Sequence, residues 1–412
     1  MRTVGACRFC ESPLGTTFVD LGVSPLANSY LRSEQLGRME PFYPLHAYVC
    51  DACLLVQLEE FESPAAIFED YAYFSSYSDT LLAHAKAYCE AMSERFGIDA
   101  DSHVVEIASN DGYLLRNFVE VGVPVTGIEP AANVAKVAVE NGIPSVVEFF
   151  GEALATRLRD EGKGADLIAA NNVLAHVPAI NDFVRGMQVL LNPAGVVTVE
   201  FPHLMRLMEH NQFDTIYHEH FSYFSFLTVE RIFATHGLTL FDVEEIDTHG
   251  GSLRIYARHA QDDSKPVGPR VEALRAREIS DGFDQVERYT SFAERVAATK
   301  RALLAFLIEQ KEQGKQIAAY GAAAKGNTLL NYCGIGPDFL DYIVDRSPHK
   351  QGQYLPGSRI PIVSADRLEE TKPDFVLILA WNLKDEVMES MRFVREWGGR
   401  FVVPIPRIAV YE

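Results

Sequence analysis

The chain has 412 residues, and at about 150 residues per domain this length predicts two or three domains. Its apolar share of 48% and charged share of 23% are those of an ordinary folded protein, which excludes disordered and collagen-like classes. Asp and Glu outnumber Lys and Arg by 57 to 37, for a net charge of −20. This acidity argues against nucleic acid or an anionic membrane surface as a partner, but not against an anionic small molecule, which senses only local charge.

Hydropathy and cysteine usage predict a protein of a reducing compartment. No run of about 18 uncharged apolar residues predicts a membrane span, and the first residues lack the apolar stretch of a signal peptide. We therefore expect a cytoplasmic protein with no membrane partner, and no protein partner is evident. The isolated Cys89 and Cys333 are expected to be packing residues.

The N-terminal region predicts a zinc site. Cys7/Cys10 and Cys50/Cys53 form two C-x-x-C pairs; each pair can direct two thiolates at one ion, and two pairs complete a tetrahedral site. The segment between the pairs is expected to be a loop-rich insert. We expect the zinc to be structural, because so small a module lacks the apolar mass to fold without a metal. Redox pairs or chance spacing are the alternatives.

The middle of the chain predicts a parallel α/β sheet. Residues 78–96 have the periodicity of an amphipathic helix, residues 104–107 have a buried-strand pattern, and strand and helix patterns alternate onward to residue 202. Open α/β sheets bind their ligands at the carboxyl ends of the strands. Polar residues at those ends are therefore the first candidates for a binding site.

The loop after the first of these strands predicts a site for a nucleotide-type cofactor. Its polar and small residues are Glu106, Ala108, Ser109, Asn110, Asp111 and Gly112. Glu129 ends the next strand, where a carboxylate can hold ribose hydroxyls. The loop is acidic and has no G-x-G-x-x-G pattern, so it suits a cationic ligand such as S-adenosylmethionine. An α/β sheet with polar strand ends and no such ligand is the alternative.

Residues 214–225, DTIYHEHFSYFS, contain four consecutive ionisable groups, Tyr217, His218, Glu219 and His220. Histidine titrates near neutrality and can act as a general base, and a carboxylate beside it more often fixes its tautomer. In a strand His218 and His220 would share a face and could bind a metal; a surface or interface cluster is a further alternative. His176 follows another strand, near the expected position of the methyl donor.

The C-terminal part predicts charged helices over residues 262–315 and then a second α/β unit of about 95 residues. Residues 320–328 turn from a strand into a helix, whose N-terminal N–H groups favour anions. Lys325 lies in this turn. Asp345 ends the next strand, and Arg346, His349 and Lys350 follow it. This locally cationic turn predicts a nucleotide diphosphate site, although such a turn can also bind nothing.

In combination these motifs resemble those of the S-adenosylmethionine-dependent C-methyltransferases of deoxysugar biosynthesis. The matching motifs run from Cys7 to the C-terminal region: the two C-x-x-C pairs, E-I-x-S-N-D-G-Y-L-L, G-I-E-P, N-N-V-L-A-H-V, I-Y-H-E-H-F-S-Y-F and Y-G-A-x-x-K-G-N-T. Those enzymes methylate nucleotide-linked 4-ketohexoses, commonly at C-3. Ala108 stands where that family usually has glycine, and since alanine adds only a methyl group we expect donor binding to survive.

The resemblance implies an α/β fold with a zinc-binding module over residues 1–72, a methyltransferase domain over 73–258 and a helical segment plus Rossmann-like nucleotide-sugar domain over 259–412. Zinc would be bound by the four paired cysteines. S-adenosylmethionine would be bound by the donor loop and Glu129, together with Pro130 and Asn171. The nucleotide-linked ketosugar would be bound by Tyr320, Gly321, Lys325, Asn327, Asp345 and Arg346.

The resemblance also implies a mechanism. His220 would remove the proton next to the ketone, Tyr217 would donate to the enolate oxygen and Glu219 would position them, with His176 as a second acid/base or orienting group. The carbon would then attack the sulfonium methyl group. The alternatives are methylation at C-5, an O- or N-methyltransferase, a nucleotide-sugar oxidoreductase or epimerase, and a zinc-module interaction protein with an inactive core.

Overall fold

The computed structural model describes residues 5–63, 75–77 and 79–412. The strands within these ranges are β1 (Thr16–Ser24), β2 (Tyr43–Val49), β3 (Val56–Leu58), β4 (Val104–Ile107), β5 (Val125–Ile128), β6 (Ser145–Val146), β7 (Ala165–Asn171), β8 (Leu191–Pro202), β9 (Ser222–Tyr223), β10 (Leu238–Ile246), β11 (Ser252–His259), β12 (Ile317–Tyr320), β13 (Ile343–Val344), β14 (Ile362–Val363), β15 (Phe375–Ile378), β16 (Arg400–Val403) and β17 (Ala409–Tyr411).

The α-helices are α1 (Asp79–Phe96), α2 (Leu115–Glu120), α3 (Ala132–Glu140), α4 (Glu152–Asp160), α5 (Ile180–Leu190), α6 (Leu204–Glu209), α7 (Phe226–Thr235), α8 (Pro269–Ser280), α9 (Val286–Thr290), α10 (Phe292–Glu312), α11 (Ala324–Cys333), α12 (Arg367–Thr371) and α13 (Lys384–Ser390). Short 3₁₀ turns lie between several of them. Among the helices that the structure describes, none is long and apolar enough to span a membrane.

The chain divides into two compact units, each assembled from three stretches. Unit 1 comprises residues 1–14, 50–204 and 221–284, and unit 2 comprises residues 15–49, 205–220 and 285–412. The three-domain division expected from the sequence stays a prediction, and its first boundary, after residue 72, lies outside the described residues.

A seven-stranded sheet forms the centre of unit 1, in the order β10-β11-β8-β7-β4-β5-β6. The strands from β8 to β6 are parallel, as the alternation of strand and helix patterns predicts. The α/β fold expected from the sequence is therefore confirmed. β10 and β11 add an antiparallel edge, and their hairpin turns through residues of positive φ at His249, Gly250 and Gly251.

Strand β4 is the switch point of this sheet. β5 and β6, which follow it in the chain, lie on one side of it, and the next strands, β7 and β8, lie on the other side. The predicted helix over 78–96 is confirmed as α1, with Ser78 outside the described residues, and it buries Tyr88 and Met92 beneath the sheet. The apolar core therefore fixes β4 from below, and the loop that follows β4 opens at the carboxyl end of the sheet, where ligands of such sheets bind.

Unit 2 contains a second sheet, in the order β14-β13-β12-β15-β16-β17, parallel except for the last strand. Its switch point is β12, which lies between β13 and β15 and is followed directly by the predicted anion-binding turn. The expected helical stretch over 262–315 is present as α8, α9 and α10, of which α9 and α10 belong to this unit.

The segment between the two cysteine pairs contains a hairpin that the sequence did not predict, although residues 25–42, between its two strands, are mostly loop as expected. β1 and β2 pair as an antiparallel hairpin, with Thr16 opposite Val49 and Ser24 opposite Tyr43. Apolar side chains of the hairpin, such as Phe18 and Leu45, are buried. The hairpin was not predicted because two register shifts interrupt the alternation of apolar and polar residues along its strands.

Candidate functional site

The four paired cysteines converge in unit 1. The sulfur atoms of Cys7, Cys10, Cys50 and Cys53 all lie within 4.8 Å of one another, and the Cys7–Cys53 and Cys10–Cys50 sulfurs are 3.5 Å apart. A tetrahedral zinc with Zn–S bonds of about 2.3 Å requires sulfurs about 3.8 Å apart, so the cluster fits the ion. No other group of His, Cys, Asp and Glu that could hold a metal is found in the described part of the chain.

Each cysteine pair is shaped by the same local turn. The N–H of Glu11 donates to the carbonyl of Cys7, and the N–H of Leu54 donates to the carbonyl of Cys50. Glu11 and Leu54 both adopt positive φ, which closes the turn and brings the second thiol of each pair beside the first. The buried Gln57 amide donates to the Cys7 sulfur at 3.2 Å, a contact that favours a thiolate there.

The predicted methyl-donor loop has a backbone that few sequences adopt. Ala108 and Asn110 both have positive φ, and so does Gly112. A Cβ on Gly112 would lie 2.7 Å from a carbon of Ile143, so glycine is required there sterically as well. The Oγ of Ser109 is buried and has no hydrogen-bond partner among the described residues. The loop thus presents polar atoms and bare backbone at the carboxyl end of β4.

Three carboxylates surround this loop. Burial, together with the nearby charges of Glu129 and Asp111, raises the pKa of Glu106 well above its ordinary value. Burial also raises the pKa of Glu129. A cation placed here would relieve the repulsion between these carboxylates, and this is the electrostatic fit expected for a sulfonium and ammonium ligand.

Glu129 also has a role that the sequence analysis did not assign to it. One carboxylate oxygen accepts the N–H of Asn110 at 3.0 Å and the other accepts the N–H of Ala131 at 2.9 Å. Glu129 therefore holds the strained donor loop against the end of β5. Each oxygen keeps a second lone pair, so ribose binding by Glu129 stays a prediction.

The other predicted donor residues end neighbouring strands of the same sheet. Pro130 follows Glu129, and Asn171 is the last residue of β7, with its Oδ1 buried and without a hydrogen-bond partner in the described ranges. His176 ends a 3₁₀ turn directly after β7. These residues therefore belong to the same unit as the donor loop, whereas His220 belongs to the other unit.

The Y-H-E-H run forms a turn in unit 2, with the N–H of His220 donating to the carbonyl of Tyr217 at 2.9 Å. His220 Nδ1 lies 2.9 Å from the carbonyl oxygen of Thr215 and can only donate to it, so the remaining nitrogen, Nε2, holds the lone pair in the neutral ring. The Tyr217 hydroxyl lies 2.8 Å from Nε2 and donates to it. A backbone carbonyl, and not the neighbouring carboxylate, therefore sets the tautomer of His220.

The side chains of Glu219 and His218 form hydrogen bonds with other residues of unit 2. Asn28 donates to the Glu219 carboxylate at 2.7 Å, and burial raises the pKa of Glu219 to about 7. His218 Nε2 donates to the carbonyl of Pro44 at 3.1 Å, and burial lowers the His218 pKa. The pair of histidines does not share a strand face, so the metal-binding alternative for His218 and His220 is wrong.

The predicted anion-binding turn follows β12. Gly321 has φ of +96°, and the N–H groups of Ala322 and Ser347 donate to the two carboxylate oxygens of Asp345 at 2.8 Å each. Asp345 thus fixes the turn. Tyr320 is buried at the strand end, Asn327 is fully buried on α11, and Arg346 is exposed and pairs with Glu386.

Two lysines supply positive charge close to this turn. Lys325 lies 4.7 Å from the centre of the Trp381 ring and donates to Asn382. Lys350 donates to the carbonyl of Ala322 at 2.8 Å, and the hydroxyl of Tyr30 donates to the same oxygen at 2.6 Å. Burial lowers the pKa of both lysines, so their charges are poorly solvated and would be stabilised by an anion.

Two residues beside this turn, Asp214 and Tyr30, were not predicted from the sequence. Asp214 is fully buried, accepts the indole N–H of Trp381 at 2.7 Å, and has its pKa raised by burial to about 7. Tyr30 lies far from the Y-G-A-x-x-K-G-N-T motif in the sequence, and no local pattern indicates it. Lys350 was expected here, because it belongs to the run of basic residues that follows Asp345.

Comparisons with known proteins match nearly the whole chain. Family models match for a zinc binding domain over residues 7–68, a methyltransferase domain over 81–243 and a C-methyltransferase C-terminal domain over 247–406. The chain is 38% identical to the C-methyltransferase NovU of Streptomyces niveus over 98% of this chain and 96% of that protein.

Solved structures align with part of the chain. A methyltransferase of Anabaena variabilis aligns with 49% of this chain and 98% of its own, at 12% identity and a TM-score of 0.38. The PH0226 protein of Pyrococcus horikoshii aligns with 48% of this chain and 99% of its own, at 13% identity and a TM-score of 0.37. TM-scores below 0.5 are too low to support an assignment by themselves.

Both cofactors expected from the sequence are confirmed at the level of the family. The methyltransferase domain covers the donor loop, which supports S-adenosylmethionine, and the zinc binding domain covers the four-cysteine cluster. The oxidoreductase, O- or N-methyltransferase and inactive-core alternatives do not fit a full-length C-methyltransferase relative. The chain therefore belongs to the C-methyltransferase family that includes NovU, and it is an S-adenosylmethionine-dependent enzyme.

Proposed function

We propose that the enzyme methylates C-3 of a nucleotide-linked, dTDP-type 4-keto-deoxyhexose through an enolate. The observation that carries this proposal is the tautomer of His220. Because Nδ1 donates to the Thr215 carbonyl, Nε2 has the lone pair that a general base requires, and the Tyr217 hydroxyl lies beside it. A C-methyltransferase needs such a base, since a carbon must lose a proton before it can attack a methyl group.

A 4-ketone acidifies the C–H bonds on both neighbouring carbons. His220 Nε2 would take the proton from C-3, and the electron pair would move into the enolate. In the free protein Tyr217 donates to Nε2, so substrate must displace this hydrogen bond. The released hydroxyl can then donate to the developing oxyanion, a contribution that is typically worth a few kcal/mol. The C-3 carbanion then forms a C–C bond to the methyl group as the bond from sulfur to methyl breaks, and neutral S-adenosylhomocysteine leaves.

The nucleotide would be held in the same unit as the base. A nucleoside diphosphate brings multiple negative charges, and the turn after β12 offers helix N–H groups, Lys325 and Lys350. The Tyr30 hydroxyl lies in the same cluster. The residues predicted from the motif, Tyr320, Gly321 and Asn327, line or support this turn in the proposed site.

Such a substrate would place the enzyme in deoxysugar biosynthesis of the kind that supplies antibiotics. We further propose that it works in the cytoplasm, where the four zinc thiolates stay reduced. Methylation at C-5 of the same substrate is the alternative outcome, because the ketone acidifies C-5 as well as C-3.

Hydrogen exchange tests the proposal without methyl transfer. The enzyme, saturated with S-adenosylhomocysteine in D₂O, is given a dTDP-4-keto-deoxyhexose, and NMR follows deuterium at C-3 and C-5. Exchange at C-3 supports the proposal, and exchange only at C-5 would assign the methyl group to C-5. An absence of exchange with every 4-ketosugar nucleotide in a panel would reject the substrate class. The matched control is His218→Asn, a change in the neighbouring histidine, which should exchange as the wild type does.

A further inference from the structure

A charged triad lies beneath the carboxyl edge of the unit 1 sheet. His84 of α1 places Nε2 2.9 Å from a carboxylate oxygen of Glu200 on β8. The other oxygen of Glu200 accepts Arg254 Nε of β11 at 2.7 Å. Glu200 is 1% exposed, and although its burial raises the pKa, the hydrogen bond from His84 and the charge of Arg254 outweigh this effect and lower it. Glu200 is therefore an ionised buried carboxylate that fixes His84 from one side.

The register of the sheet shows where the triad lies. Glu200 is directly paired with Asn171 of β7 and with Arg254 of β11, so these three side chains share one face. Glu106 is paired with Ala169, two residues before Asn171, and so it points to the same face. The triad and Glu106 of β4 therefore lie on one face of the sheet, two residues apart along the strand direction.

Helix α1 carries His84 to the ligand-binding end of this face. Tyr88 contacts Thr198, and His84, one helical turn earlier, contacts Glu200, two residues later on β8. The four helix residues from His84 to Tyr88 rise about 6 Å, and two strand residues span about 6.6 Å. Helix α1 therefore runs alongside β8, and its N-terminal end lies toward the carboxyl edge of the sheet. At this edge the preceding N–H groups of Ser75 and Ser76 bind the donor-loop side chains Asn110 and Asp111.

His84 is the member of the triad that can reach a ligand. Its side chain is 23% exposed, whereas Arg254 is 9% exposed and is also paired with Glu244. In the part of the chain that the structure describes, no hydrogen bond forms to His84 Nδ1. Its imidazole thus has Nε2 bound to Glu200, which leaves Nδ1 for a ligand.

The charges of the donor explain what this nitrogen would bind. S-adenosylmethionine has a sulfonium, an ammonium and a carboxylate. The acidic loop of Glu106, Asp111 and Glu129 suits the two cations but repels the carboxylate. We propose that His84, held through Nε2 by Glu200, donates a hydrogen bond from Nδ1 to the α-carboxylate of the methyl donor. This inference needs only the family assignment and is independent of the sugar substrate proposed above.

A ligand that lacks the carboxylate provides the test. 5′-Methylthioadenosine keeps the adenosine and sulfur of the donor but has no amino-acid end. Calorimetry with S-adenosylhomocysteine and with 5′-methylthioadenosine is run on wild type, His84→Ala and His84→Gln. The Gln amide nitrogen can still donate to Glu200, and its carbonyl oxygen would then face the carboxylate and repel it. Both variants should bind S-adenosylhomocysteine about ten- to a hundredfold more weakly and bind 5′-methylthioadenosine within twofold of the wild type.

The control is Lys86→Gln, an exposed change on the same helix, which should alter neither affinity. If His84→Gln binds S-adenosylhomocysteine as well as the wild type does, His84 only supports Glu200 and the proposal is wrong. The same conclusion follows if the variants lose affinity equally for both ligands. If His84→Ala does not fold, His84→Gln decides the question, because it keeps a partner for the buried carboxylate.

Discussion

The two sheets of this enzyme have the same kind of ligand-binding edge but opposite local charge. In unit 1 the switch-point strand β4 is followed by a loop surrounded by Glu106, Asp111 and Glu129. In unit 2 the switch-point strand β12 is followed by a turn beside Lys325 and Lys350. Topology therefore selects the place where a ligand can bind, and the side chains at the strand ends make one edge acidic, as a cationic donor requires, and the other basic, as the proposed nucleotide requires.

The two edges also differ in how their loops are held. In unit 1 Glu129 accepts N–H groups of Asn110 and Ala131, and in unit 2 Asp345 accepts those of Ala322 and Ser347. A carboxylate thus shapes each loop, but the loop of unit 1 lies beside further carboxylates, whereas the turn of unit 2 lies beside two lysines. Variants at one edge should therefore affect its own ligand and spare the other.

Loss of the zinc site should produce the largest effect, which is a loss of stability in unit 1. Cys50→Ser removes one of four thiolates, and structural zinc sites contribute roughly 10–16 kcal/mol of apparent binding free energy. We expect an insoluble or unstable protein, and metal analysis of the wild type should give one zinc per chain. Cys89→Ser, a change in a buried cysteine outside the cluster, is the control and should keep its zinc. A folded Cys50→Ser protein with full donor affinity would show that the cluster is not structural.

Substitution of His220, the proposed base, should lower the reaction rates without affecting ligand binding at either sheet edge. His220→Asn should lower the rates of methylation and of deuterium exchange by roughly 10²- to 10⁴-fold, because a general base is lost. Its affinities for S-adenosylhomocysteine and for a nucleoside diphosphate should stay within twofold of the wild type. His176→Asn should impair methylation more than exchange if His176 orients the reactants. An exchange rate at the wild-type level in His220→Asn would move the base to His176 or Tyr217.

The pH dependence of the unfolding free energy should reveal the raised pKa of Glu219, a buried carboxyl group of unit 2. The folded pKa of Glu219 is about 7, above its ordinary 4.5, so the folded state binds this proton more tightly than the unfolded state does. Its contribution to stability is therefore complete below pH 4.5 and is lost as the pH rises through 7, a change of about 3 kcal/mol. Glu219→Gln should flatten this part of the profile of unfolding free energy against pH. An unchanged slope between pH 4.5 and 7 would mean that Glu219 is ionised throughout, and the exposed Asp385→Asn is the control.

Loss of the loop anchor should affect the donor edge alone. Glu129→Ala removes two hydrogen bonds to N–H groups of the donor loop, and charge-assisted bonds contribute roughly 1.5–3 kcal/mol. Donor affinity should fall about ten- to a hundredfold, while calorimetry with a nucleoside diphosphate should show no change. A variant that loses both affinities would indicate a general folding defect.

The smallest expected effect follows substitution of a lysine beside the turn after β12, at the carboxyl edge of the unit 2 sheet. Lys325→Met should weaken binding of a free nucleoside diphosphate several-fold and leave donor affinity unchanged. Because Lys325 also contacts Trp381 and Asn382, the stability of the variant must be measured in parallel. Lys315→Met, a change in a lysine paired with Asp374, is the control and should bind both ligands normally. Equal nucleotide affinity in Lys325→Met and the wild type would remove Lys325 from the proposed site.

Sequence patterns predicted the features that are formed by residues close together in the chain. The cysteine spacing predicted the zinc cluster, and the apolar run at residues 104–107 predicted β4 and the loop after it. The hairpin of β1 and β2 was missed because its register shifts interrupt the alternation of residues. Asp214 and Tyr30 were missed because tertiary folding, and not sequence spacing, brings them to the turn after β12. The partner of Glu219 was missed for the same reason, since Asn28 lies 191 residues away.

The interleaved path of the chain has a consequence for synthesis and for gene rearrangement. The polypeptide passes between the two units five times, and the His220 turn is a short excursion of 16 residues, 205–220, inside the sequence of unit 1. Unit 2 cannot be completed on the ribosome until the C-terminal sheet has been translated, so the hairpin of β1 and β2 must wait for partners more than 250 residues downstream. No single cut in the gene would yield either unit intact. Recombination between relatives should therefore exchange loops at the sheet edges far more readily than whole units.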